Sequence, residues 1–131
     1  MKFDNPATIH PPLGLYSHTA SVREGTELVF ISGQVGIRPD GSTPEGIAEQ
    51  SALAFANIGA LLDSHGLDVT DIVKLVTFVV HGNDGDAVMA ARREFLGGHS
   101  PVSTTLIVAG LVSPLWHVEV EAIAARARAE N

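Results

Sequence analysis

The sequence contains no cysteine, which removes thiol catalysis, thiolate metal sites and a disulfide framework together. Aromatic residues make up only 5% of the chain, so a core must be built from aliphatic side chains. Positive charge is scarce as well: 8 Lys+Arg stand against 15 Asp+Glu, a formal net charge of -7. Such a balance repels phosphate backbones, and a nucleic-acid groove would need a local basic cluster. The closest approach to one is Arg92-Arg93, flanked by Asp84, Asp86 and Glu94. No apolar run reaches the ~20 residues needed to span a bilayer. Lys2 is followed by Asp4, Asn5 and Pro6, so the first residues form no signal-peptide core. The expectation is a cytoplasmic protein with neither a nucleic-acid nor a membrane partner.

What is present is ample aliphatic material. The 131 residues are 45% apolar, enough to offset chain entropy without metal or disulfide. No repeat or linker divides the chain. Residues 1–131 therefore read as one domain, with 1–16 an extended arm rich in proline and 125–131 a frayed tail.

Residues 17–22, a turn at Arg23-Glu24-Gly25-Thr26 and the run Leu28-Val29-Phe30-Ile31 read as a β-hairpin. Thr43 and Pro44 then mark a helix start, as N-cap and first helical residue. Ile47, Ala54, Ile58, Leu61 and Leu62 recur at helical spacing until Gly66. Gln50 and Asn57 on this helix read as structural polar residues bonding to backbone. The nearly continuous apolar run 72–80 suits a strand covered on both faces. A second helix follows over 86–96, stopped by Gly97-Gly98. Two strands, 104–109 and 116–124, read as a second hairpin and complete a β-β-α-β-α-β-β order, an α+β fold with a mixed sheet and two helices on one face.

Alternation in the last strand places Val118, Val120, Ala122 and Ala124 under the helices, and His117, Glu119, Glu121 and Ile123 on the opposite face. Packing Leu106 and Val108 under the helices as well puts Ser103 and Thr105 beside Glu119. A face bearing these groups is either solvated or closed into an oligomer cleft.

Tyr16-Ser17 after Gly14, the strand Val29-Phe30-Ile31-Ser32-Gly33-Gln34, Asp71-Ile72-Val73-Lys74, Phe95-Leu96-Gly97-Gly98-His99 and the ending Val118-Glu119-Val120-Glu121-Ala122-Ile123-Ala124 together resemble the Rid family. These proteins are also called YjgF-like or endoribonuclease L-PSP proteins. The resemblance covers nearly the whole chain. It implies a chorismate-mutase-like fold and a homotrimer with ligand clefts between subunits. It also implies cofactor-free hydrolysis of enamines and imines, such as 2-aminoacrylate, to keto acids and ammonia. In that chemistry an arginine holds the substrate carboxylate, and a glutamate with a backbone carbonyl positions the attacking water.

Carried over by position, Glu119 matches the catalytic glutamate, Tyr16 the cleft tyrosine and Gly33 the backbone glycine, with Ser32 beside it. The arginine follows a proline and one small residue. Here that stretch is Ser100-Pro101-Val102-Ser103, so serine stands in its place. A serine cannot form a bidentate salt link to a carboxylate. The substrate-binding set expected from the resemblance is Tyr16, Ser32, Gly33, Ser103, Thr105, Trp116 and His117, with Glu119 catalytic. His117 serves as either a proton relay or an interface residue.

Ser103, His117 and Glu119 also supply the residue types of a hydrolase triad, but no Gly-x-Ser-x-Gly elbow accompanies them. The six histidines show no ligand spacing, so no metal is expected. Two readings stand. One is an enzyme acting on an imine, enamine or enol-type intermediate other than the standard 2-imino acids. The other is a non-catalytic trimeric small-molecule-binding or interaction protein.

Overall fold

The computed structural model describes residues 1–126. In chain order the elements are β1 (Lys2–Asp4), β2 (Thr19–Ser21), β3 (Leu28–Val35), α1 (Ile47–Ser64), a single 3-10 turn (Val69–Asp71), β4 (Ile72–Val80), α2 (Gly85–Leu96), β5 (Val102–Val108) and β6 (Val118–Ala125). The main sheet runs β3-β6-β4-β5. Strand β6 is antiparallel to both neighbours, and β4 and β5 are parallel across the α2 crossover. It is a mixed α+β sheet with the helices on one face, as the alternation predicts.

The core lies between helices and sheet. Val118, Val120, Ala122 and Ala124 of β6 meet Leu75 and Val79 of β4, Phe55, Ile58 and Leu62 of α1, and Val88 and Leu96 of α2. Phe55 and Phe95 stack between the helices at 5.3 Å. The small alanines of β6 leave room for α1 to lie close, so an aliphatic core closes with few rings.

Both expected hairpins are corrected. The turn at residues 23–26 forms, with Thr26 N–H donating to the Arg23 carbonyl at 3.2 Å. Its flanking strands nevertheless pair elsewhere: β2 with β1 of the N-terminal arm, and β3 with β6. A turn signal reports a chain reversal, not the partner. Val29 and Ile31 find theirs in the matching alternation of Ala124 and Ala122. Strands β5 and β6 likewise do not form a pair, because β4 lies between them. The connection over 109–117 carries the chain across the end of β4, where Val80 N–H donates to the His117 carbonyl at 3.0 Å.

Helix α1 starts at Ile47 with Gly46 as N-cap, three residues after the expected Pro44 start, and Thr43 is not its cap. The Gln50 side chain takes the Pro44 carbonyl at 2.8 Å, so that carbonyl is withdrawn from the helical ladder. At the other end Gly66, at φ +68°, supplies the left-handed stop. The frayed tail expected from residue 125 does not hold for the first two residues. Ala125 is the buried end of β6, and Arg126 pairs with Glu27 at 3.0 Å. Residues 127–131 lie outside the described residues.

Candidate active site

Strand β3 is bulged where its sequence reads Ser32-Gly33. Ile31 opposes Ala122 and Gln34 opposes Val120, so two residues of β3 face the single Glu121. Gly33 is required there by what lies on it: a Cβ at this position would overlap Glu119 Oε2 and stand 2.7 Å from its Cδ. The half-buried Glu119 thus lays its carboxyl directly over the bare backbone of the bulge. The two residues share a cleft of about 520 Å³ with Trp116, Arg38 and Asn57.

Helix α1 fixes the walls of this cleft. Gln50 and Asn57, two turns apart on one helical face, both bond to backbone, as read from the sequence. Asn57 Nδ2 donates to the carbonyls of Val35 (3.2 Å) and Ile37 (3.1 Å), holding the chain just after the bulge. Gln50 is fully buried; besides Pro44, its Nε2 donates to the Leu115 carbonyl at 2.9 Å and its Oε1 accepts from His117 N–H at 2.9 Å. The Trp116-His117 loop is therefore riveted to the helix on both sides of the indole. Gln50→Leu keeps the volume but strands two carbonyls and one N–H in a dry site. We expect a loss of about 2–4 kcal/mol, read from the urea midpoint; a change below about 0.5 kcal/mol would show that the rivets contribute nothing.

Ser103 and Thr105 do not join Glu119. Register pairs Leu75 with Ser103 and Thr77 with Thr105, while Val76 and Phe78 face Glu121 and Glu119. Residues side by side in a sheet share a face. Ser103 and Thr105 therefore belong to the helix-covered side, with Leu75 and Thr77, and Glu119 belongs to the other. This corrects the shared face read from the sequence. Edge strand β5 misled because it is half exposed on both sides: Leu106 is 41% and Ile107 74% exposed. Its apolar residues give no phase.

A second groove of about 510 Å³ lies along that edge between β5 and the start of α2, lined by Thr105, Ile107 and Met89. Tyr16 stands at the β5 end of the molecule. Its hydroxyl accepts from Leu13 N–H at 3.1 Å, its ring meets His18 edge-on at 5.6 Å, and the next residue, Ser17, is bridged to Val102. Ser32 is exposed on the bulge beside Gly33. His117 is half-buried with its backbone tied down, and it is not among the residues lining the cleft with Glu119. Glu121 is exposed and lines a separate small hollow with Lys74 and Val76.

The predicted site thus divides in two: Gly33, Trp116 and Glu119 on one side, with Ser32 next to them, and Ser103, Thr105 and Tyr16 on the other. Sequence reasoning missed Arg38, which lines the Glu119 cleft, and Arg92, which is buried. The second was legible, since residue 92 lies midway between Val88 and Leu96 on the apolar stripe of α2. Among the described residues no group of three His, Asp or Glu is placed to hold a metal. No helix there is long and apolar enough to cross a membrane.

Comparison with known proteins agrees with this frame. Residues 8–126 match the family described as endoribonuclease L-PSP. The chain is 31% identical over 114 residues to the 2-iminobutanoate/2-iminopropanoate deaminase of Rattus norvegicus, covering 86% of this chain and 80% of that one. The Bos taurus protein of the same name is 33% identical over 121 residues, covering 91% and 82%. Among solved structures, the Rid-family protein YyfB of Yersinia pestis superposes with a TM-score of 0.83 at 26% identity, over 95% of this chain and 98% of that one. TdcF of E. coli with bound serine gives 0.72 at 29%, over 97% and 100%. A match this continuous, on the same α+β scaffold, makes the chain a member of the Rid, or endoribonuclease L-PSP, family.

Proposed function

We propose that this protein is a cofactor-free imine and enamine hydrolase. Its site is completed between copies of the chain in a homotrimer, and it does not favour the standard 2-imino acids. The observation that carries the reading is the Glu119 carboxyl resting on the Gly33 backbone inside a cleft. The deaminase relatives support it.

The chemistry follows from the parts. Glu119 accepts a proton from a water held between its carboxyl and the backbone of the bulge. The water oxygen bonds to the imine carbon, and the C=N electron pair moves to nitrogen, which is protonated. Collapse of the resulting carbinolamine breaks the C–N bond. One imine and one water thereby give one carbonyl compound and one ammonia. Trp116 supplies an apolar wall that excludes bulk water from the substrate.

Trimerisation is supported by the sheet face that the helices leave uncovered. Phe30 is 71% exposed there and Leu106 41%, with Val76, Phe78 and Ile123 half-buried between them. These apolar residues, interrupted by Lys74 and Glu121, make a patch of the kind that forms protein contacts. Second copies would cover it and could bring the Ser103–Thr105 groove of one chain to the Glu119 cleft of the next. The altered substrate preference is supported by Ser103, which offers no cation to an acid group borne on the imine carbon.

Two measurements test the reading. Light scattering should report three times the 13.7 kDa subunit mass; a lone subunit contradicts it. Ammonia release should be faster, by about tenfold or more, from imines lacking a carboxylate on the imine carbon than from 2-iminobutanoate. Equal rates, or a preference for 2-iminobutanoate, would contradict the altered anchoring. Ligand binding with no ammonia from any imine would assign the trimer to binding alone.

A further inference from the structure

Arg38 and Glu119 line the same cleft with opposite charges, yet they form no ion pair with each other. Strand register accounts for their separation. Glu119 stands opposite Val35 at the end of β3, but its carboxyl leans back over Gly33, two residues toward the start of that strand. Arg38 follows three residues beyond Val35, at the other end of the lining segment. Val35, Ile37, Pro39 and Trp116 make the rest of the wall largely apolar. The cleft of about 520 Å³ thus holds a general base toward one end and a cation toward the other.

The loop that carries Arg38 is closed on itself. Arg38 N–H donates to the Ser42 carbonyl at 2.9 Å, and its own carbonyl accepts from Gly41 N–H at 2.8 Å. Asn57 grips the Ile37 carbonyl just before it. The side chain is positioned as well: Nη1 donates to Ser42 Oγ at 3.1 Å, and that hydroxyl donates in turn to Asp40 Oδ1 at 2.6 Å. A close counter-charge is what the group lacks. Among the described residues the one carboxylate within ion-pair distance is Glu49, 3.9 Å away and 72% exposed. An exposed pair at that distance contributes little. The guanidinium therefore keeps its charge at any ordinary pH, N–H donors to spare and a place on the cleft wall.

We propose that Arg38 anchors a carboxylate of the substrate, carried at the end of a short chain and not on the reacting carbon. Naming that anion as part of a substrate rests on the hydrolytic reading above. The spacing follows from the cleft. With the imine carbon at the Glu119–Gly33 bulge, an acid group on that same carbon stays at the end occupied by the base. An acid at the end of a short apolar chain reaches the cation along Val35, Ile37 and Trp116. A carboxylate fits better than a phosphate ester. It is planar, presents two acceptors to the guanidinium edge and carries a single charge. A phosphate would bring nearly two charges to one cation that already has Glu49 and Asp40 for neighbours. Hydrogen bonds from Ser42 hold the Asp40 carboxyl below its ordinary pKa, so that neighbour is ionised.

Titration of the full chain with levulinate, a keto acid whose carboxylate is set apart from its ketone, tests the proposal when followed by NMR. Its neutral methyl ester and pyruvate, whose acid sits on the keto carbon, are the controls. Wild type binds levulinate and binds both controls more weakly, by about tenfold or more. Arg38→Gln loses about 10- to 100-fold in affinity for levulinate and nothing for the ester. Its melting temperature is unchanged, because the side chain is 45% exposed. Arg38→Lys restores part of the loss. Equal affinity for levulinate and ester, equal affinity in wild type and Arg38→Gln, or no binding to wild type overturns the proposal and leaves Arg38 as a clasp on Ser42. Glu119→Gln binds levulinate no less tightly than wild type. A protein that binds levulinate through Arg38 yet releases no ammonia from any imine would end the hydrolytic reading and leave the anchor standing. Imine hydrolysis that Arg38→Gln leaves unchanged, with or without a distal acid on the imine, would end the anchor alone.

Discussion

Glu119→Gln is expected to lower the rate of imine hydrolysis by about 10²- to 10⁴-fold, the usual range for removing a general base, with trimer mass and melting temperature unchanged. Glutamine is nearly isosteric and can still lie over the Gly33 backbone, but its amide cannot take a proton from water. The carboxyl is half-buried and forms no salt bridge among the described residues that the variant would break, so the loss should appear in kcat and not in stability. Steady-state ammonia release checks this. A variant retaining more than about a tenth of the wild-type rate would remove Glu119 from the chemistry.

Gly33→Ala should cost about 100-fold in turnover, because displacing a catalytic group by an ångström is worth that much. The backbone at residue 33 is not in the left-handed region, so alanine brings no conformational strain. The three atoms nearest its Cβ all belong to the Glu119 side chain, which can swing away at little energetic cost. Folding should survive while the carboxyl is pushed off the bulge. Gly36→Ala, three residues on, provides the contrast. Its Cβ would come within 2.7 Å of the Gln50 backbone in α1, which cannot yield. That change should lower the melting temperature by several degrees. The pair separates a glycine kept for the site from one kept for packing; a stable, fully active Gly33→Ala would show that the carboxyl's position does not matter.

Alternation made β6 readable because both its faces are distinct: one is fully buried under helices, the other carries charge. The polar pair Gln50 and Asn57 was readable for a similar reason. Amides at helical spacing beside apolar residues must find backbone partners, and the structure supplies five such bonds. Strand pairing was not readable. Residues 17–31 carry a turn signal, but the partner of β3 lies some ninety positions further on in β6, and no local signal encodes that distance. Of the residues grouped into one site, the structure brings together only some. Glu119 and Gly33 came from the family pattern and do lie together. Ser103 and Thr105 were assigned a face on an edge strand whose two sides are about equally exposed, where hydrophobic phase carries no information. Arg92 was legible in part: its place midway between Val88 and Leu96 marks a charged residue on a buried stripe, while its hydrogen bond to Leu15, 77 positions away, is encoded by no local signal.

The proposed site is made by two chains, and mixing two inactive variants tests this most directly. Glu119→Gln removes the base but keeps the β5 groove; Thr105→Trp fills the groove but keeps the base. Unfolded together in equal amounts and refolded, they should form mixed trimers in which roughly a quarter of the clefts pair an intact Glu119 with an intact groove. Ammonia release should then return to about a quarter of the wild-type rate, though each variant alone is inactive. Mixed trimers, verified by mass spectrometry, that remain as inactive as their parents would place the whole site within one chain.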